Sequence, residues 1–310
     1  MALFEIHPDD RTLRGFFDPG ASPVLVIDPG DTVRFSTLDS GWSAGQYRHD
    51  VAFPARPRVP QYRTGYGHAL VGPVYVRGAA PGQTLAIRID AVEPGGWGYC
   101  VAGGWPSTVN VRYGLETEGV VHTWTLADGL GRNQHGHTVT LRPFMGVMGM
   151  PPAEPGEHST IPPRRWGGNL DCKELVAGST LYLPVPVEGA LFSVGDGHAA
   201  QGDGEVSGTA IECPMARVDL TFDVRADLPL DAPFAETPAG LVTMGLGDTV
   251  DDATFMALEG MFSQLQRLYG VSRPDAVALA SVTVDLRVTQ IVNQVVGVHA
   301  VLPPGTLRTG

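Results

Sequence analysis

Cysteine is scarce in this 310-residue chain: Cys100, Cys172 and Cys213 form no Cys-x-x-Cys pair and make an odd total. That argues against a secreted disulfide framework and for a reducing compartment. No run approaches the ~20 apolar residues of a membrane-spanning helix. The opening Met1-Ala2-Leu3-Phe4-Glu5-Ile6 has no basic stretch leading into an apolar one, so a cytoplasmic location is expected. Positive charge is also short: 21 Lys and Arg against 33 Asp and Glu give a net charge of −12. With no basic cluster interleaved with aromatics, the chain is a poor partner for nucleic acid or an anionic membrane. Two catalytic devices are missing as well. There is no Gly-x-Ser-x-Gly elbow, and the glycine-rich segment 195–204 carries acids where a phosphate needs donors.

What is present reads as a folded, strand-rich protein. Hydrophobic residues make up 43% and charged residues 17%, a globular rather than a disordered composition. The 40 glycines and 26 prolines are dispersed, as expected where many turns join short strands. Two apolar runs, 23–27 and 32–37, flank Asp28-Pro29-Gly30-Asp31 and read as a hairpin. The design recurs at 72–77 and 84–89 around Pro81-Gly82-Gln83. Val218, Leu220, Phe222 and Val224 alternate with Asp219, Thr221, Asp223 and Arg225, the clearest period-2 pattern in the chain.

The stretch 147–169 has no sustained period and is expected to be a long irregular loop. Helical patterning is confined to the last quarter. Phe255, Leu258, Phe262, Leu265 and Leu268 lie close to a 3.6 period in 251–269, with Gly270 closing the segment. Ser272-Arg273-Pro274-Asp275 opens a second helix, expected to run to Ser281. A strand carrying Val282, Val284, Leu286 and Val288 follows, then another at 295–301.

The predicted fold is therefore mainly β, a β-sandwich or jelly-roll-like arrangement with barrel-like strands, closed by an α+β segment containing two helices. Three regions of one compact unit are expected: 1–145, 146–225 carrying the active-site loop, and 226–310.

Chemistry concentrates in Gly195-Asp196-Gly197-His198-Ala199-Ala200-Gln201-Gly202-Asp203-Gly204-Glu205. Asp196 and His198 are two apart, so an extended backbone points both to one face, as ligation of one ion by a carboxylate and an imidazole requires. An isolated Gly-Asp-Gly is ordinarily just a turn in which the Asp bonds its own backbone. Four ionisable groups so close together, however, are costly unless water, a cation or shared protons relieve them. Asp171, in Asn169-Leu170-Asp171, offers a further oxygen ligand or merely a loop cap. Cys172-Lys173-Glu174 has the residue types of a thiol amidase, but consecutive side chains diverge, which favours a structural cysteine. His135-Gly136-His137 forms another ligand pair.

At these residues the chain resembles the acetamidase/formamidase family. The similarity runs through 141–149, Asn169-Leu170-Asp171, 177–184 and 189–212, and more weakly through 23–35, 68–78 and the C-terminal helices. The resemblance implies a mostly β homo-oligomer that hydrolyses short aliphatic amides to carboxylate and ammonia, with a divalent metal. It also brings His68 forward as a ligand candidate. The chain departs from many relatives at Gly15-Phe16-Phe17-Asp18-Pro19, where they carry a Trp-Asp-Asn stretch, and at His68-Ala69, where His-Pro is frequent.

The expected chemistry places a metal, zinc by its effect on water, on Asp171, Asp196, His198 and His68. Glu205 would move the proton to the departing nitrogen, with Asp203 as its substitute. Two other readings remain open at this stage: a non-catalytic β-sandwich module holding calcium as a structural ion, and a metal-free amidase built on Cys172.

Overall fold

A computed structural model describes residues 1–51 and 53–308. Its strands form two sheets of nine and eleven. The nine-stranded sheet runs in the order Leu3–Ile6, Thr32–Phe35, Met215–Arg225, Thr84–Pro94, Thr180–Pro184, Phe234–Thr237, Gly240–Gly247, Val295–Leu302, Asp285–Asn293. In the other sheet the strand Phe192–His198 is central. It pairs with Phe144–Gly149 on one side and with Leu70–Val76 and Glu212–Cys213 on the other. Both sheets are open, so the expected mainly β sandwich holds, without closure into a barrel.

The sheets share one core. Val33, Phe35, Ile87, Leu220 and Phe222 from the first face Val71, Val74, Met145, Phe192 and Val194 from the second. Phe192 and Phe222 meet edge to face, with centroids 5.1 Å apart. Each buried aromatic of this kind contributes roughly 2–3 kcal/mol of transfer free energy. Val218, Leu220 and Phe222 are fully buried as the alternation at 218–224 predicts, but the polar face is covered too, with Asp219 and Thr221 buried beside neighbouring strands.

The two expected hairpins are corners instead. Leu25–Ile27 pairs in parallel with Leu70–Val76 in one sheet, whereas Thr32–Phe35 pairs with Leu3–Ile6 and Met215–Arg225 in the other. Likewise Leu70–Val76 and Thr84–Pro94 lie in different sheets. A Pro-Gly turn between apolar runs specifies a reversal, and a reversal serves a change of sheet as well as a hairpin. The expected loop at 147–169 is also shorter, because Phe144–Gly149 and Gly167–Asn169 pair with each other at its ends.

Helices are not confined to the last quarter: Thr108–Tyr113 forms a short one, capped by Ser107 and closed by left-handed Gly114. The long helix is Val250–Tyr269, with Thr249 as N-cap and Gly270 at its end. Its buried face is Ala253, Ala257, Met261, Gln264 and Leu265, whereas Phe255 is 71% and Leu268 45% exposed. The reason lies beneath it: a Cβ on Gly245 would sit 1.9 Å from the Ala253 carbonyl oxygen, so backbone meets backbone and only small residues fit the seam. The last helix, Arg273–Thr283, runs two residues further than expected and takes in Val282, which is 80% exposed; the following strand starts at Asp285. Among the described residues no helix is long and apolar enough to cross a membrane.

Candidate functional site

The strand Phe192–His198 is buried at every position, which is costly for its Asp196 and His198 unless they have partners. His198 pairs in register with Glu212 on one neighbouring strand and with Phe144 on the other. Met145 and Val147 pair with Gly197 and Gly195, which sets Gly146 opposite Asp196. A Cβ on Gly146 would lie 2.5 Å from Asp196 Oδ2, 2.8 Å from Asp171 Oδ1 and 2.9 Å from His198 Cε1. The space over this glycine is thus the floor of a cradle between three polar side chains.

Asp171 reaches the cradle because its N–H donates to the Gly146 carbonyl at 3.3 Å. Glu205 is brought in by the strand Asp285–Asn293: Gly204 N–H donates to Thr289 O, and Ile291 N–H donates to Gly204 O. Asp171, Asp196 and Glu205 have φ of 49°, 59° and 45°, so among the described residues three of the eight non-glycine residues in the left-handed region are acids of this one cluster. Left-handed Asp is tolerated, but left-handed Glu is uncommon, and such conformations cost roughly 1–3 kcal/mol and persist where surrounding structure enforces them.

A second layer orients the first. The Gln201 amide nitrogen donates to the Asp171 carbonyl oxygen at 2.8 Å, so its Oε1, 2.9 Å from His198 Nδ1, is the acceptor of an Nδ1–H. In the neutral imidazole that leaves the Nε2 lone pair free. Nε2 lies 3.3 Å from both Asp196 Oδ1 and Glu212 Oε1 and makes no hydrogen bond, and Asp171 Oδ1 is buried and unpartnered as well. Asn293 Nδ2 donates to Asp171 Oδ2 at 2.6 Å and reaches Glu205 Oε2 at 3.3 Å. Ser40 Oγ and the Ala210 N–H hold Glu212.

The electrostatics follow from this crowding. Burial, and then the Asp171 charge, push Glu205 well up; burial raises Asp171 and Glu212 against the opposing His198 charge, and neighbouring carboxylates add to the rise. For Asp196 burial acts upward but is outweighed by His198 and His68, which hold it below the usual range. Burial opposes a charged His198, yet Glu212 and Asp196 together raise it. Opposed carboxylates and a lone imidazole nitrogen facing one another are relieved by a shared cation. Asp171, Asp196 and His198 form one set with ligand atoms within 4.8 Å of each other, and His198, Glu205 and Glu212 a second. This buried cluster fits a metal ion.

The sequence-derived candidates therefore divide. Asp171, Asp196, His198 and Glu205 converge. His68 lines the same cavity, tied by its Nδ1 and its N–H to Thr160 Oγ1 at 2.9 and 2.8 Å, but belongs to neither ligand set. Asp203 points elsewhere, into an ion pair with Lys173 at 2.8 Å. Cys172 is fully buried and its thiol is pushed up to about 12 by burial, while Glu174 is engaged by Arg142 and Arg287. His135 and His137 lie on the turn between Leu130–Asn133 and Thr138–Thr140 at the edge of the larger sheet. Glu212, Asn293, Gln201 and Gly146 were not anticipated. Glu212 alone carried a signal, as an acid between Ile211 and Cys213 in an otherwise apolar stretch.

The chain matches the family model described as the Acetamidase/Formamidase family over residues 5–156 and 153–305. The formamidase of Methylophilus methylotrophus is 26% identical over 252 residues, 64% of this chain and 60% of that protein. The acetamidase of Mycolicibacterium smegmatis is 29% identical over 270 residues, 68% of this chain and 64% of its own length. The chain thus aligns with somewhat under two thirds of these curated relatives. The crystal structure of acetamidase from Bacillus halodurans superposes with a TM-score of 0.86 at 28% identity, covering 98% of this chain and 97% of that one. With the family model spanning nearly its whole length, the chain belongs to the acetamidase/formamidase family.

Proposed function

We propose that the chain hydrolyses short aliphatic amides, of the formamide and acetamide type, to a carboxylate and ammonia with the assistance of a divalent ion. The observation that carries this reading is the bare His198 Nε2, 3.3 Å from two carboxylate oxygens in a buried cavity. Ligands about 2.0–2.2 Å from a tetrahedral zinc stand roughly 3.3–3.5 Å apart, so the spacing suits that ion. Asp171, Asp196, His198 and Glu212 are the residues that would hold it. A nitrogen ligand at the centre favours zinc over calcium, which takes oxygen ligands. The bound ion supplies Lewis acidity toward the amide oxygen and toward water.

The protein side does the rest. His68, anchored by Thr160, lines the cavity beside the cluster and orients the amide. Glu205 lies at the cluster, held by Asn293, where its carboxylate takes a proton from water and, as the acid so formed, gives it to the departing nitrogen. Asn293 holds the Glu205 and Asp171 carboxyl groups in register. Asp203, ion-paired with Lys173, is a weaker candidate for proton transfer. The inaccessible Cys172 gives no support to a thiol mechanism.

Assembly into a homo-oligomer and a cytoplasmic setting belong to the same reading. Exposed Phe255 and Val282 on the C-terminal helices support the first, and three free cysteines support the second. The test is ammonia release from formamide and acetamide before and after chelation. Activity should fall to background and return with added zinc. Full activity in metal-free protein would reject the metal, and no ammonia from any amide would reject the amidase.

A further inference from the structure

The cavity over the acidic cluster has a volume of about 230 Å³ and two kinds of wall. Asp196, Glu205, Glu212 and His68 line it, and so do Phe53, Tyr66, Trp105 and Ile161, which supply apolar surface. A cavity of about 150 Å³ accommodates benzene, so roughly 80 Å³ remains here for a carboxamide beside a ring. Formamide, with three heavy atoms, leaves the apolar wall wetted.

The aromatic wall is braced from behind. Phe53 and Trp105 stand with centroids 6.2 Å apart and tilted by 32°, and Phe53 also packs on Tyr99 at 6.0 Å. Tyr66 is held by Trp42 and by Phe16, each at 5.4 Å. Such a surface is formed before a ligand arrives. Charge narrows the choice further. Among the described residues Arg56 is, apart from His68, the one basic residue lining the cavity, and its guanidinium already donates to the Gly41 and Phe53 carbonyls and lies 3.9 Å over the Phe53 ring. With Arg56 so engaged and Asp196, Glu205 and Glu212 in the lining, a second carboxylate is repelled.

We infer that the preferred substrate is a neutral primary amide with a flat apolar acyl group, an aryl or arylacetyl amide, seated against Phe53, Tyr66, Trp105 and Ile161. The inference rests on the amide-hydrolase reading of the same site and departs from it only in the acyl group, an aromatic one being preferred to the short aliphatic ones. It is tested by kcat/KM for ammonia release from formamide, acetamide, benzamide and phenylacetamide with the full chain supplied with zinc. The better aryl substrate should exceed acetamide at least tenfold, on the scale at which pocket-filling groups discriminate. Trp105→Ala should lower kcat/KM for that substrate about tenfold more than for acetamide. Binding gives a readout independent of turnover: calorimetry should show phenylacetamide at least tenfold tighter on Glu205→Gln than on Glu205→Gln carrying Trp105→Ala. Acetamide or formamide hydrolysed in preference to both aryl amides would overturn the inference and leave the amidase reading standing. Equal binding by the two variants would overturn it too. Hydrolysis of no amide at all would overturn both.

Discussion

His198 Nε2 faces two carboxylate oxygens at 3.3 Å while Gln201 Oε1 accepts the hydrogen bond from Nδ1–H. A nitrogen held this way is prepared as a ligand, because the partner on the far side of the ring fixes both tautomer and orientation. Gly146 keeps the space in front of it clear. Gly146→Ala would push a methyl to within 2.5 Å of Asp196 Oδ2, so bound metal should fall at least tenfold at fixed free zinc, measured by equilibrium dialysis. Undiminished metal binding would show that the cradle is not the site. Glu205→Gln should retain the metal yet lose at least a hundredfold in kcat, since the amide cannot carry the proton. A wild-type rate would move that role to another residue. At this scale the sequence was informative where acids crowd among glycines, which is why Asp171, Asp196, His198 and Glu205 stood out. It was silent on Asn293, whose partner Asp171 is 122 positions away, and on Gly146, which matters for the side chain it lacks.

Among the elements, the long helix was legible from its period and caps, but not the face it buries. The pattern emphasised Phe255 and Leu268, whereas docking uses Ala253 and Ala257 because the strand Gly240–Gly247 offers Gly245 at the contact. Gly245→Ala should therefore lower stability by about 3 kcal/mol in urea unfolding, an overpacking cost with backbone on both sides. The paired strands at 32–35 and 215–225 carry a second test. Asp219 is buried and accepts from Arg34 at 2.8 and 2.9 Å and from Arg217, and these guanidiniums hold it down from 3.8 to about 2. Its contribution is therefore present above the unfolded value of 3.8 and lost as pH falls through about 2. The stability gap between wild type and Asp219→Asn should be full near pH 7 and close toward pH 2; a gap independent of pH would contradict the ion pairs.

Across the whole molecule, the site is a convergence of distant chain segments on one buried strand. Phe144–Gly149 supplies the floor, the turn at Asp171 one acid, the bend at Glu205 another, Glu212–Cys213 a third, and the end of Asp285–Asn293 the amide that ties two of them. Local propensity could indicate strands and turns but not which of two sheets a strand joins, and so the corners at 28–31 and 77–83 read as hairpins. The same limit hid the convergence, which depends on pairings between residues far apart in sequence. The central claim is that this convergence holds one catalytic ion. Its most direct measurement is titration of metal-free protein with zinc, following bound metal per chain and ammonia release in the same samples. Activity should rise in proportion to occupancy, level off near one ion per chain, and be absent from His198→Ala at every occupancy. Full ammonia release before any metal is bound would contradict it.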